Sequence, residues 1–139
     1  MTSRTFIPLV LITTLACAGP ACAEKFKATL DGKSEVPATS SSGSGTADID
    51  YDSASKKLTW KLTYSGLTGP ATAAHFHGPA EPGKNAGVAV AIPNATSSPA
   101  EGSATLTDAQ AADLEAGRYY VNVHTAANPA GEIRGQVTK

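Results

Sequence analysis

The clearest structural signal lies at residues 118–125, which read RYYVNVHT. Apolar and polar side chains alternate there with the two-residue period of a β-strand that has one buried face. Val121 and Val123 fall on one side of this strand, and Asn122 and His124 fall on the other. We therefore predict a half-buried strand that carries a histidine on its outward side.

Six further segments are predicted to be strands: residues 25–30, 46–51, 58–64, 72–77, 88–92 and 131–137. Loops rich in glycine, proline and serine separate them, as at residues 37–45 and 78–87. About seven or eight short strands at this spacing predict an all-β protein, a Greek-key sandwich or barrel.

One segment has the signals of a helix. Thr107 can cap its first turn, Gln110 is placed for a capping box, and Gly117 can end it. Leu106 and Ala111 are spaced to form a hydrophobic staple. The segment is short and weakly apolar, so we predict one connecting helix at the surface.

Composition limits the class of protein. The chain has 139 residues, with 11 Lys plus Arg against 12 Asp plus Glu and a formal net charge of -1. This length suits a single domain. A near-neutral charge without a basic stripe argues against nucleic acid as the partner. The 13 Gly and 9 Pro argue against helical bundles and coiled coils.

Residues 1–23 resemble a secretory signal peptide. Arg4 starts the segment, an apolar run extends to about Ala18, and small residues precede Glu24. The apolar run is shorter than the roughly 20 residues that span a bilayer. We predict cleavage before Glu24, a domain at residues 24–139, and a periplasmic or secreted location without a membrane anchor. A retained anchor or a lipoprotein is the alternative.

Cleavage would remove every sulfur atom of the chain, because Met1, Cys17 and Cys22 all precede residue 24. The mature domain would have no disulfide and no sulfur ligand for a metal ion. Losing Arg4 and no acidic residue would bring its net charge from -1 to -2.

Histidines are the candidate metal ligands, and the chain has three, at positions 75, 77 and 124. Residues two apart on a strand project to one face, so His75 and His77 point the same way and Phe76 points into the core. If the two histidine-bearing strands are neighbours, His124 completes a three-imidazole site with an open coordination position. The alternative is a solvated surface without a metal.

Without sulfur, the three imidazoles suit copper, zinc, iron or nickel, and the stability order of the divalent ions favours Cu²⁺. We predict copper, with zinc as the second choice. Only neutral imidazole binds, so we expect occupancy to fall as the pH drops through roughly 6–6.5.

Other polar motifs indicate no further chemistry. Asp48, Asp50 and Asp52 alternate along one strand, but they lack the loop that a calcium site needs and are interpreted as a solvated face. No nucleophile elbow and no Ser-His-Asp arrangement is present. The sequence therefore favours binding over catalysis.

Four segments strongly resemble the CHRD domain, which is named for the vertebrate protein chordin and is common as a single exported unit in bacteria. They are Glu35-Val36-Pro37, residues 75–80 (HFHGPA), residues 120–125 (YVNVHT) and residues 128–136 (NPAGEIRGQ). The resemblance extends over about residues 24–138. The family usually has a second proline where this chain has Ala38.

This resemblance implies an immunoglobulin-like Greek-key β-sandwich related to copper–zinc superoxide dismutase, with one short connecting helix. That enzyme also takes copper ligands from a His-x-His strand and a later strand, so His75, His77 and His124 would be the copper ligands here by analogy. The chain lacks the further histidines that would hold zinc beside copper.

Four residues are candidates for the surroundings of these ligands: Tyr120, Asn122, Glu132 and Arg134. By analogy, Arg134 would line the approach to the metal. The alternative for Glu132 and Arg134 is a cross-strand or surface ion pair.

We predict an exported protein that binds one copper ion through three histidines, for sequestration, delivery or protection. Two alternatives stay open. One is a metal-free extracytoplasmic interaction module that uses the sandwich edges or the 37–45 loop. The other is a superoxide-dismutase-like redox enzyme in which Arg134 helps to steer an anion. A metal ion is the one predicted partner.

Overall fold

The computed structural model describes residues 23–139. Its elements are β1 (Ala23–Asp31), β2 (Ser44–Asp52), β3 (Lys57–Ser65), β4 (Ala71–His77), β5 (Val88–Ile92), β6 (Ala100–Thr105), α1 (Asp108–Glu115), β7 (Tyr120–Thr125) and β8 (Ile133–Gln136). The predictions of an all-β protein and of a short connecting helix are confirmed. Nearly all of the predicted signal peptide lies in residues 1–22, outside the described range. The helix in residues 23–139 falls short of the length and apolar content that a membrane span needs.

The strands form one sheet in the order β5-β4-β7-β8-β1-β2-β3-β6, and all neighbours are antiparallel. Pairing between β1 and β8 is sparse, since it consists of Asp31 opposite Arg134 and a bridge from Lys27 to Thr138. It joins two four-stranded parts, which we call the β1 half (β1, β2, β3, β6) and the β4 half (β5, β4, β7, β8). The edge strands β5 and β6 approach each other, so the sheet is nearly closed, like a barrel.

The inward faces of the two halves share one apolar core. Trp60 of β3 packs edge-on against Phe76 of β4, with ring centroids 5.2 Å apart. Leu62 of the β1 half and Val121 of the β4 half are fully buried. Each such side chain contributes about 1.5–3 kcal/mol on burial. This core determines which face of β4 and β7 points outward, and that face carries the histidines.

Strand β6 is absent from the sequence-based prediction. Its residues, AEGSAT, contain two alanines and no larger apolar side chain, so no alternation marks a buried face. The strand forms because it pairs with the edge of β3 from Lys57 to Leu62. Gly102 permits this pairing, since a Cβ there would lie 2.8 Å from the indole of Trp60.

The predicted helix signals are confirmed. Thr107 is the N-cap of α1, and the capping box with Gln110 is formed in both directions. Leu106 and Ala111, the predicted staple residues, are both buried. Gly117 adopts a left-handed conformation (φ +73°) just past the helix end, where a residue with a side chain would be strained.

Candidate metal centre

The three histidines lie on the outward face of the paired strands β4 and β7. His75 and His77 come from β4 and His124 from β7, while Phe76 and Val123 turn into the core. One nitrogen of each imidazole lies within 4.8 Å of the corresponding nitrogen of the other two. The structure therefore brings together all three residues that the sequence nominates as ligands. That they bind a metal stays a prediction.

Backbone carbonyls orient two of the rings. Nδ1 of His77 lies 3.0 Å from the carbonyl oxygen of Ala86, and Nδ1 of His124 lies 2.9 Å from that of Pro129. A carbonyl oxygen can only accept, so both Nδ1 atoms carry the hydrogen and donate it. In the neutral rings, each of these two Nε2 atoms therefore has a free lone pair. A carbonyl behind each imidazole is the usual arrangement around metal-binding histidines.

The ring of His75 faces the lone pair on Nε2 of His124. Nδ1 of His75 lies 3.0 Å from Nε2 of His124, to which it donates a hydrogen in the absence of a metal. Transfer of that proton to the other nitrogen of His75 would free Nδ1 as a ligand. Nε2 of His77 is buried and has no hydrogen-bond partner among residues 23–139. A buried lone pair without a donor is costly, and a metal ion is one group that would satisfy it.

The surroundings keep two of the rings neutral. Burial lowers the pKa of His75, and the neighbouring rings of His124 and His77 lower it further. Burial also lowers the pKa of His77, although its hydrogen bond to Ala86 opposes part of the shift. Neutral imidazole is the form that binds metal ions, so the electrostatics fit a metal site.

Tyr120 and Arg134 support the ring of His77. The rings of His77 and Tyr120 are stacked, with centroids 4.9 Å apart and planes 3° from parallel. The guanidinium of Arg134 lies 3.5 Å from the centroid of Tyr120. It donates to Asn85 Oδ1 at 2.9 Å and to the carbonyl oxygen of Lys84 at 2.5 Å. Arg134 is 2% exposed, and these contacts hold Tyr120 beside His77. That Arg134 lines an approach to the metal stays a prediction.

Glu132 connects loops through its hydrogen bonds. Its buried carboxylate accepts hydrogen bonds from the side chains of Ser41, Thr68, Thr125 and Asn128 and from the backbone N–H of Thr68. Burial alone would raise the pKa of Glu132, but these hydrogen bonds outweigh it and lower the pKa to about 2. The partners of Glu132 are hydroxyl and amide groups, and it forms no ion pair with Arg134 among residues 23–139. That Glu132 belongs to the surroundings of the ligands stays a prediction. Its link to the site is through Thr125, the neighbour of His124.

Asn122 lies in the middle of the outward face, directly opposite His75 in the strand register, and it is 2% exposed. Its Nδ2 donates to the carbonyl oxygen of Ala130 at 3.4 Å, while its Oδ1 has no partner in the described residues. The side chain faces His77, where it would accept a hydrogen bond from the protonated ring.

Sequence reasoning missed one residue of this site, Glu35. It lies next to Asn122 in the loop after β1, 6% exposed, and its Oε1 has no partner in residues 23–139. A Cβ on Gly131 (φ +133°) would clash with Glu35 and with Asn122, which shows that the two side chains are adjacent. The one available signal was the Glu-Val-Pro segment, which does not say where the loop folds.

The model of the CHRD domain family matches residues 26–137. The chain belongs to the CHRD domain family. The four CHRD-like segments of the sequence meet at one place, since they supply Glu35, the three histidines, Asn122 and Gly131. Neither a curated protein nor a solved structure matches the chain significantly. Membership in the CHRD family names no ligand, so the case for a metal rests on the geometry of the site.

Proposed function

We propose that this CHRD domain binds one Cu²⁺ ion through Nδ1 of His75, Nε2 of His77 and Nε2 of His124. The observation that carries the proposal is the convergence of three imidazole nitrogens within 4.8 Å. Two of the rings are held by carbonyl oxygens in the tautomer that exposes Nε2. The protein would sequester or deliver copper, or protect against it.

Copper is preferred to zinc on chemical grounds. Residues 24–139 contain no cysteine and no methionine, so the donors are nitrogen and oxygen. For such donors the stability order places Cu²⁺ above Zn²⁺. Zinc is the second choice, because three histidines with an open position are also a known zinc arrangement.

We also propose where the protein is located and to which class of β-fold it belongs. The pattern of residues 1–23 supports export to the periplasm or the medium. The contact of Trp60 with Phe76 across the core, and the sparse junction of β1 with β8, support two packed sheets of an immunoglobulin-like sandwich.

Electron paramagnetic resonance during a Cu²⁺ titration tests the ligand set. We expect hyperfine coupling to three nitrogens in the wild-type protein, and the loss of one nitrogen in each of His75→Ala, His77→Ala and His124→Ala. Thr72→Ala is the matched control, because this exposed residue is on β4 as well and should leave the spectrum unchanged. An unchanged nitrogen pattern in the histidine variants would refute the site.

A metal-free interaction module is the competing function. It is favoured by the 3.0 Å contact between His75 and His124, which satisfies two rings without an ion. This function predicts that protein from its native compartment contains no metal and that copper or zinc leaves its melting temperature unchanged. Copper binding predicts bound metal in elemental analysis and a higher melting temperature.

A further inference from the structure

Three buried polar atoms without hydrogen-bond partners lie on the outward face of the β4 half and in the loop that covers it. They are Nε2 of His77, Oδ1 of Asn122 and Oε1 of Glu35. Their residues are 8%, 2% and 6% exposed. The great majority of buried polar atoms in proteins have a hydrogen-bond partner, so a group of three without one points to a bound species that completes them.

The three atoms have the same chemistry, since each of them accepts hydrogen bonds. His77 uses its only N–H on Ala86, and the amide hydrogens of Asn122 are on the nitrogen that faces Ala130. Burial raises the pKa of Glu35, and the nearby guanidinium of Arg134 opposes part of that shift. The bound species must therefore present an electrophile or hydrogen-bond donors.

A copper ion satisfies one of these atoms, namely Nε2 of His77. It leaves the side chains of Asn122 and Glu35 without a partner, and Glu35 is not in the group of close histidine and carboxylate donor atoms in residues 23–139. This inference rests on the proposed copper site. We propose that Asn122 and Glu35 select a neutral hydrogen-bond donor, such as water, over an anion as the remaining ligand of the copper ion. The donor would give a hydrogen to Oδ1 of Asn122, and the charge of Glu35 would repel an anion.

The guanidinium of Arg134 lies near Glu35 and balances part of its charge. Arg134 donates to Asn85 and to Lys84 and lies against the face of Tyr120, so these donors are not offered to an anion on the copper ion. The other titratable groups that face this part of the site are the three histidines, which would bind the ion in their neutral form. A site of this kind handles copper without attracting anionic substrates, which separates it from an enzyme that acts on superoxide.

Azide binding to the copper-loaded protein tests the role of Glu35. Azide on Cu²⁺ gives a ligand-to-metal charge-transfer band, so its affinity is read from absorbance. We expect Glu35→Gln to bind azide at least about tenfold more tightly than the wild type, because the repelling charge is gone and the shape is kept. Glu101→Gln is the control, since this exposed carboxylate on β6 belongs to the β1 half. Equal azide affinity of wild type and Glu35→Gln would overturn the proposal.

A measurement on the unmodified protein covers the case in which Glu35→Gln does not fold. Electron–nuclear double resonance in H₂O and D₂O should reveal a strongly coupled exchangeable proton on a ligand of the copper ion. Absence of such a proton would overturn the proposal while leaving the three-histidine site intact. Failure of the wild type to bind copper at these histidines would instead refute the proposed function, and the initial titration detects it.

Discussion

On the outward face of the β1 half, Lys25 pairs with Asp50 and Lys61 with Glu101 in open solvent. On the outward face of the β4 half, charged and polar side chains are instead buried, and Arg134 is only 2% exposed. Both halves have the same alternation of inward and outward residues. The loops cause the difference, because they cover one outward face and leave the other in water.

Three loops form this cover, at residues 32–43, 78–87 and 126–132. Asn85 links the first two by donating to the carbonyl oxygen of Val36 at 3.0 Å. Polar groups under such a cover must be paired or must bind something, whereas water satisfies them on an open face. A candidate site therefore arises on one half only, although both halves offer polar outward residues.

Removing a buried charge from the β4 half should have the largest effect on stability. Arg134→Ala deletes a buried guanidinium, its two hydrogen bonds and its contact with Tyr120, and it leaves Glu35 without a counter-charge. We expect the free energy of unfolding to fall by about 3–5 kcal/mol. Lys61→Ala in the β1 half should change it by less than about 0.5 kcal/mol. Urea denaturation measures both, and similar losses would remove the energetic distinction between the two faces.

The acid dependence of stability should show the next largest effect, through Glu132. Its folded pKa of about 2 lies below its ordinary value of 4.5, so its contribution is complete above pH 4.5 and is lost as the pH falls towards 2. We expect Glu132→Gln to lower the free energy of unfolding by about 3 kcal/mol at pH 7. The difference between variant and wild type should shrink between pH 4.5 and 2. A difference that is constant with pH would contradict this assignment.

Protonation of the histidines should have a smaller effect on copper binding and on stability. Burial lowers the pKa of His75 and of His77, so protonation competes with copper only at a pH below that of an ordinary imidazole. The midpoint of copper loss should therefore lie below the roughly 6–6.5 that the sequence suggests. The metal-free protein should also lose stability as the pH falls from 6.5, since the unfolded chain takes up protons more readily. Copper competition titrations from pH 4 to 8 check the midpoint, and loss already above pH 6.5 would be contrary to it.

Much of the fold could be predicted because burial of one face imposes a two-residue period. Residues 58–64 and 118–125 show this period clearly, and they form β3 and β7. Residues 100–105 lack it, since their alanine, serine and glycine side chains bury too little apolar area to mark a face. That strand depends on the free edge of β3, which a local pattern cannot reveal.

The candidate site divides in the same way. His-x-His spacing on a strand places His75 and His77 on one side, whatever the rest of the chain does. The proximity of His124 additionally required that β4 and β7 be neighbours. The carbonyl groups of Ala86 and Pro129 carry no sequence signal, because every residue has a carbonyl. Glu35 lies beside Asn122 because of the path of the loop after β1, which the sequence does not reveal.

The amino-acid sequence thus determined the strands, the outward direction of the histidines and the absence of sulfur donors in residues 24–139, since these depend on neighbouring residues and composition. The pairing of β4 with β7, the burial of Arg134 and Glu132, and the position of Glu35 beside Asn122 were set by the folded chain. The physical reason is that burial and hydrogen-bond satisfaction depend on segments far apart in sequence. Those segments meet only after the loops close over the sheet.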